Sequence, residues 1–195
     1  MKSLRILLLM LSVSLTSMAL AQEHGVIGGV SLGKWRESGG LTRGLKFHYH
    51  VGYEYRQYLG NKFAIDGIAL FGSQGTDYEF QITGVPKTEF HSRNYLSLGT
   101  IVSYECFKNF RVGVGADFAT YLGRIGNASF NEKKVSVDIP LAARISYSFN
   151  WFELQLTYKH GTCNLIKNNY WGKNTSRDIQ FSVFVPIFIV RILGH

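Results

Sequence analysis

The segment FRVGVGADFATYLG (110–123) alternates along its whole length. Phe110, Val112, Val114, Ala116, Phe118, Thr120 and Leu122 fall on one side. Arg111, Gly113, Gly115, Asp117, Ala119, Tyr121 and Gly123 fall on the other. A period of two is that of a β-strand, whose successive side chains point to opposite faces. Globular strands usually stop near about five or six residues. A strand of this length needs something thick against its apolar face.

The pattern recurs. Alternating segments run over 25–35, 45–59, 63–78, 93–105, 110–124, 134–149, 151–161 and 177 to about 189, which makes eight. Their connections alternate in length. Short turns follow the second, fourth and sixth segments, at Gly60-Asn61-Lys62, CFKN (106–109) and Asn150. Long polar connections follow the odd ones: RESGGLTRG (36–44), a stretch around 83–87, IGNASFNEK (125–133) and TCNLIKNNYWGKNT (162–175). Transmembrane barrels of antiparallel strands have this arrangement, with short periplasmic turns and longer outer loops. A soluble sandwich does not require it.

The phase of each segment gives the polarity. In 45–59, Leu45, Phe47, Tyr49, Val51, Tyr53 and Tyr55 oppose Lys46, His48, His50, Gly52, Glu54 and Arg56. In 151–161, Phe152, Leu154, Leu156 and Tyr158 oppose Glu153, Gln155, Thr157 and Lys159. Ile68 and Leu70 interrupt the polar face of the third segment. An eight-stranded barrel has a narrow interior, which the small and charged face fits better than the bulky one. The bulky face then lies outside, in lipid, and closure satisfies every backbone donor and acceptor as a bilayer demands. The expected fold is all-β: an eight-stranded, antiparallel, up-and-down transmembrane β-barrel. Pro140 and Pro186 each remove a ladder donor, so a bulge or a strand end is expected at each.

The first residues change the picture of where the chain goes. Lys2 and Arg5 precede a short apolar run, and Ala19-Leu20-Ala21 is a small-x-small cleavage signal. Residues 1–21 read as a secretory signal peptide and 22–195 as one barrel domain. No cysteine follows the cleavage site, which argues against a lipoprotein, and no apolar run long enough for a membrane helix follows it either. The chain carries 21 Lys and Arg against 13 Asp and Glu, a formal net charge of +8. In an exported chain with scattered cations, this surplus suits phosphorylated lipid headgroups and not nucleic acid. The two cysteines, Cys106 and Cys163, fall at opposite ends of the expected barrel, too far apart to bond.

Three stretches carry a family resemblance: NYLSLGTIVSYECFKNFRVGVGADFATYLG (94–123), LQLTYKHGTCNLI (154–166) and DIQFSVFVPIF (178–188). A strand, a KNF turn and a glycine-alternating strand, then a strand end and a closing alternating strand, resemble the small outer-membrane β-barrel proteins of Bacteroidota described as porin-family or PorT-like. The resemblance implies the fold and an outer-membrane location; it implies no activity. Many barrels end on an aromatic residue, whereas this chain continues past Phe188 to IVRILGH.

Candidate chemistry falls into four groups. Lys46, Glu54, Arg56, Asp66, Arg111, Asp117, Asp138, Arg144, Glu153 and Lys159 all phase inward. Buried charges must be paired or solvated, so these residues read as a polar network that plugs the lumen in preference to lining an ion path. His160 and Thr162, two residues apart and outward near the outer rim, have the spacing of the His and Ser of lipid A deacylases. The hydroxyl is Thr, and no acidic residue follows to orient the base, so no enzyme is expected. His48 and His50, with His91 elsewhere, lack a third metal ligand, and lumen hydrogen bonding is the simpler reading. No cofactor or metal is expected. The sequons at Asn127 and Asn174 are chance matches in a bacterial outer membrane. Finally, Lys34, Arg36, Arg43, Lys87, Arg93, Arg124, Lys133, Lys167 and Lys173, with Trp35, Tyr170 and Trp171, give the outer loops a basic, aromatic character. The expected partners are outer-membrane lipids and lipopolysaccharide, the barrel assembly machinery, and a loop ligand that the residues do not identify; the barrel is expected to be a monomer.

Overall fold

The computed structural model describes residues 21–36, 43–82, 85–125, 133–134, 137–163, 166–167 and 175–191. Residues 1–20 of the leader read over 1–21, the sequon asparagines Asn127 and Asn174, and Tyr170, Trp171 and Lys173 lie outside these residues. Eight long strands follow one another: β1 (Ala21–Arg36), β2 (Lys46–Leu59), β3 (Phe63–Ile82), β4 (Val85–Phe107), β5 (Phe110–Ile125), β6 (Leu141–Ser148), β7 (Glu153–His160) and β8 (Thr175–Arg191). Each pairs antiparallel with its sequence neighbours. Pairing of β1 with β8, from Ala21↔Arg191 to Arg36↔Thr175, closes the sheet on itself.

Short turns join β2 to β3, β4 to β5 and β6 to β7. In the first two, Gly60 at φ 71° and Asn109 at φ 69° adopt the left-handed conformation, which Gly takes freely and Asn tolerates. Pro186 marks a bulge: Gly25 faces Pro186 while His24 faces Phe188. Pro140 marks an interruption. Val137–Asp138 pairs with β5 as a separate two-residue piece, and regular pairing resumes at Leu141. The sixth segment is therefore broken where the alternation reads it as continuous.

A larger departure concerns β3 and β4. They have 20 and 23 residues and stay paired up to Ile82↔Val85. The polar stretch around 83–87 thus belongs largely to a hairpin, not to a long loop. Pairing of β4 with β5 ends at Ser92↔Ile125, so this hairpin continues past the neighbouring strand. A polar, proline-containing composition suggested a connection; the backbone ladder overrides it, because a hairpin standing beyond the rim needs no apolar face.

The polarity is inside out. Phe47 is 73% exposed, Leu98 62% and Val114 67%, and the outward rows of the other strands are similar. Glu54, Arg56, Asp66 and Asp138 are at most 1% exposed. Only a hydrocarbon surround makes this arrangement favourable, since it buries charge and leaves apolar area outside. The interior is not uniformly polar, however. Ile27, Ile68, Leu70, Ile101, Tyr95, Tyr121 and Phe184 also point in and form one cluster. Glycines opposite them supply the room: a Cβ on Gly113 would meet the Ile101 side chain, and one on Gly52 that of Leu70. Large and small residues on adjacent strands together fill a space that charged and small residues alone would leave hollow.

Candidate functional site

The inward rows of β1, β2, β3, β5, β6 and β7 converge on one guanidinium. Arg56 on β2 donates from Nη1 and Nη2 to the two Glu153 oxygens, each at 2.8 Å. This is the bidentate fork for which a planar guanidinium is suited. Its Nε donates to Asp66 Oδ1 at 2.7 Å, and Nη2 also donates to Glu54 Oε1 at 2.8 Å. Glu54 then accepts from Arg144 Nη1 at 3.1 Å and from Gln155 Nε2. Glu153 accepts from Arg111 Nη1 at 3.2 Å and from Ser148 Oγ at 2.6 Å. Arg56 also lies 5.4 Å over the Phe184 ring, which closes the side lacking a carboxylate. Three guanidinium groups and three deeply buried carboxylates, cross-bonded, thus span the barrel.

Below this layer, toward the short turns, lies a cavity of about 520 Å³ lined by Glu23, Tyr58, Arg111, Phe152, Glu153 and Phe184, among others. Tyr58 donates to Glu23 at 2.6 Å and accepts from Arg111 at 3.3 Å. Above it, a second layer is looser. Lys159 donates to Asp117, Tyr121 donates to Gln74 at 2.7 Å, and Gln180 bridges Tyr95 and Asp178. Between the layers, His50 Nε2 lies 2.7 Å from Ser182 Oγ; level with the second layer, His48 lies against Ser73 and the Gly75 carbonyl. The two histidines are thus held in lumen hydrogen bonds, and the side chain of His91 is outside the described residues.

Asp138 forms a third feature, at the outer end of β6. Its Oδ1 accepts from the backbone N–H groups of Ile139, Thr162 and Cys163, and its Oδ2 from Ser176 Oγ. One carboxylate therefore ties the broken strand, the residues after β7 and the start of β8 together. Gly161 permits the approach, because a Cβ there would meet both Asp138 and Ser176.

Of the residues singled out from the sequence, Glu54, Arg56, Asp66, Arg111, Arg144 and Glu153 come together in the inner layer, and Asp117 and Lys159 pair in the outer one. Asp138 stands apart as the rim tether. Lys46 is half-buried at the outer end of β2. Thr162 Oγ1 donates to the Ile139 carbonyl at 2.9 Å and not to His160. Cys106 and Cys163 are unbonded, at opposite ends of the barrel. Arg93, read as an outer-loop cation, is instead inside, 4% exposed and in phase with Tyr95 and Ser97. Asp178 was missed, although Asp178, Gln180 and Ser182 alternate with Ile179, Phe181 and Val183 and so announce an inward row.

No family model matches the chain, and no curated protein matches it by sequence. Solved structures do. Neisserial surface protein A (NspA) is similar at TM-score 0.56, with 11% identity, over 83% of this chain and 96% of that one. The outer membrane protein OprG from Pseudomonas aeruginosa is similar at TM-score 0.52, with 11% identity, over 86% of this chain and 94% of that one. The chain has the all-β fold of these proteins, a closed eight-stranded antiparallel barrel of the outer-membrane type.

Proposed function

We propose that the protein is an integral bacterial outer-membrane barrel of the PorT-like kind, exported through a cleaved leader and inserted by the barrel assembly machinery. In this reading it is a monomer. Its lumen is plugged, and it acts structurally or through its surface loops, without catalysis. The observation that carries the proposal is the Arg56 layer. An ion path needs mobile water and unpaired charge along its length, whereas here every guanidinium is cross-bonded to carboxylates from several strands. Lipid and lipopolysaccharide contacts fall to the apolar outer wall and the basic residues of the loops.

Planar-bilayer recording tests the plug once heat-modifiable gel mobility has established that the barrel is folded. Silence after insertion is the expected result, and stable conductance steps overturn it. Mass spectrometry of lipid A from cells with and without the protein tests the absence of catalysis. An unchanged acyl pattern is expected; loss of a chain would turn attention to His160.

A further inference from the structure

On the outward face of β1, β8 and β7 the character of the wall changes within two residues. Val30 faces Phe181, which faces Leu156, and one level nearer the long connections Leu32 faces Ile179, which faces Tyr158. The next outward level is basic. Lys34 faces Arg177, and Arg177 faces His160 on its other side. Residues two apart on a strand are separated by about 7 Å. Apolar wall thus gives way to a row of three basic residues over roughly the thickness of the interfacial layer of a bilayer.

Such a row is unfavourable by itself. Side chains directly opposite in an antiparallel pair stand about 5 Å apart at Cβ, and like charges there destabilise the sheet. Lys34 and Arg177 are in that register. Nothing on the wall offsets them: among the described residues, the outward rows of β1, β6, β7 and β8 hold no Asp or Glu. Asp178, next to Arg177 in sequence, is on the inward row, buried, and bonded to Gln180. Arg177 is half-buried, and its Nε is enclosed without a hydrogen-bond partner among the described residues. An enclosed donor without an acceptor costs free energy. The guanidinium therefore lacks an acceptor that its own sheet does not supply.

We propose that Lys34, Arg177 and His160 hold one phosphate of an outer-leaflet glycolipid, with its acyl chains over Leu32, Ile179 and Tyr158. Neighbouring strands are about 4.8 Å apart, so the β1 and β7 backbones flank Arg177 within reach of a single anion. Arg177 offers its fork to the phosphate oxygens, Lys34 a point charge and His160 a ring N–H. The two levels together select the occupant. A free anion gains nothing from the apolar level, and an uncharged lipid gains nothing from the basic one. The inference rests on the reading above that the wall faces lipid and the long connections face outward. It places a lipopolysaccharide contact on the wall itself, below the loops.

The test titrates the full-length, delipidated protein in mild detergent with lipid A carrying its phosphates, and reads bound lipid by native mass spectrometry. The same lipid with its phosphates removed, and inorganic phosphate as competitor, are the ligand controls. Arg177→Gln removes the central cation. Lys62→Gln removes the same charge from the short turn at the opposite end of the barrel. Gel mobility verifies that each variant is folded. The wild type is expected to bind one phosphorylated lipid. Arg177→Gln is expected to weaken that binding about tenfold or more, as for loss of hydrogen bonds to a charged group. Lys62→Gln should leave it unchanged, and removing the phosphates should weaken it at least as much as Arg177→Gln does. Equal binding of the two lipids by the wild type overturns the proposal, whatever the variants do. So does an equal fall in both variants, which would report net charge, or no fall in Arg177→Gln. Displacement of the lipid by inorganic phosphate at equal concentration would leave a simple anion site and also overturn it. Failure of the wild type to show heat-modifiable mobility overturns the barrel reading instead, so the two failures are distinct.

Discussion

Replacing Arg56 with Met removes the group to which Glu54, Asp66 and Glu153 are all bonded. The methionine stem keeps much of the volume, so the change is mainly one of charge. What remains is uneven. Glu153 keeps Arg111 and Ser148, and Glu54 keeps Arg144 and Gln155. Among the described residues Asp66 keeps only Arg144, at 3.7 Å. Removing one partner of a buried ionic cluster typically costs about 3–5 kcal/mol, because the others stay buried without compensation. The residual partners place Arg56→Met toward the lower end, ~3 kcal/mol. Urea unfolding of the barrel in lipid vesicles, followed by gel mobility, measures it. The reasoning also fixes a rescue. Glu153→Gln in the Arg56→Met background restores the balance of carboxylates and guanidinium groups in the layer. It should recover part of the loss, as a coupling of about 0.5–3 kcal/mol in a double-mutant cycle. Single and double variants that unfold within about 0.5 kcal/mol of the wild type, the scatter of independent sites, would refute the idea that this layer holds the barrel together.

Other outcomes follow from particular contacts. Asp138→Ala leaves three backbone N–H groups and the Ser176 hydroxyl without their acceptor, at about 1–3 kcal/mol for those that water cannot reach; hydrogen exchange at Thr162 and Cys163 should accelerate while the β7 amides stay protected. Gly29→Val drives a side chain into the Phe181 carbonyl across the β1–β8 pair and should lower stability by about 1–3 kcal/mol, read as a fall in the urea midpoint. Single-cysteine chains test the orientation: on intact cells a bulky maleimide should label Cys163, and label Cys106 only after the outer membrane is permeabilised. The reverse pattern would invert the barrel. Thr162→Val should leave lipid A acylation unchanged, because the hydroxyl is spent on the Ile139 carbonyl.

Alternation carries the strand count, the closure and the polarity, because a strand period assigns each side chain to a face without reference to its partner. It does not set where strands stop. The hairpin formed by β3 and β4 looked like a loop because residues above the rim need neither an apolar face nor an apolar sequence. Nor does a face assignment tell who meets whom. Arg56 and Glu153 lie 97 positions apart, and Glu54 and Gln155 lie 101 apart; only the barrel's curvature and stagger bring them together. Arg93 shows a different failure. A cation at the first position of an alternating run reads as one of the outer-loop cations, yet Arg93, Tyr95 and Ser97 continue the inward row. Phe184 and Ile27 illustrate a third. They obey the inward phase but not the expected polarity, and Phe184 meets Arg56 in a contact that no local pattern contains.

The pairing of β1 with β8 has a consequence for assembly. The six other strands can each pair with a neighbour close in sequence, through turns of a few residues or single loops. The seam alone joins residues from the two ends of the described chain, so it carries the highest contact order and, by loop-closure entropy, is the last to form. Along it Gly25 and Gly29 leave no space for a side chain against the Val185 and Phe181 carbonyls, as Gly52 and Gly115 do at two other strand pairs. Until it zips, the sheet is a curved ribbon with two raw edges, each able to recruit a foreign strand. The seam therefore acts as a latch, and the vulnerable moment in the life of this protein is the interval before that latch closes.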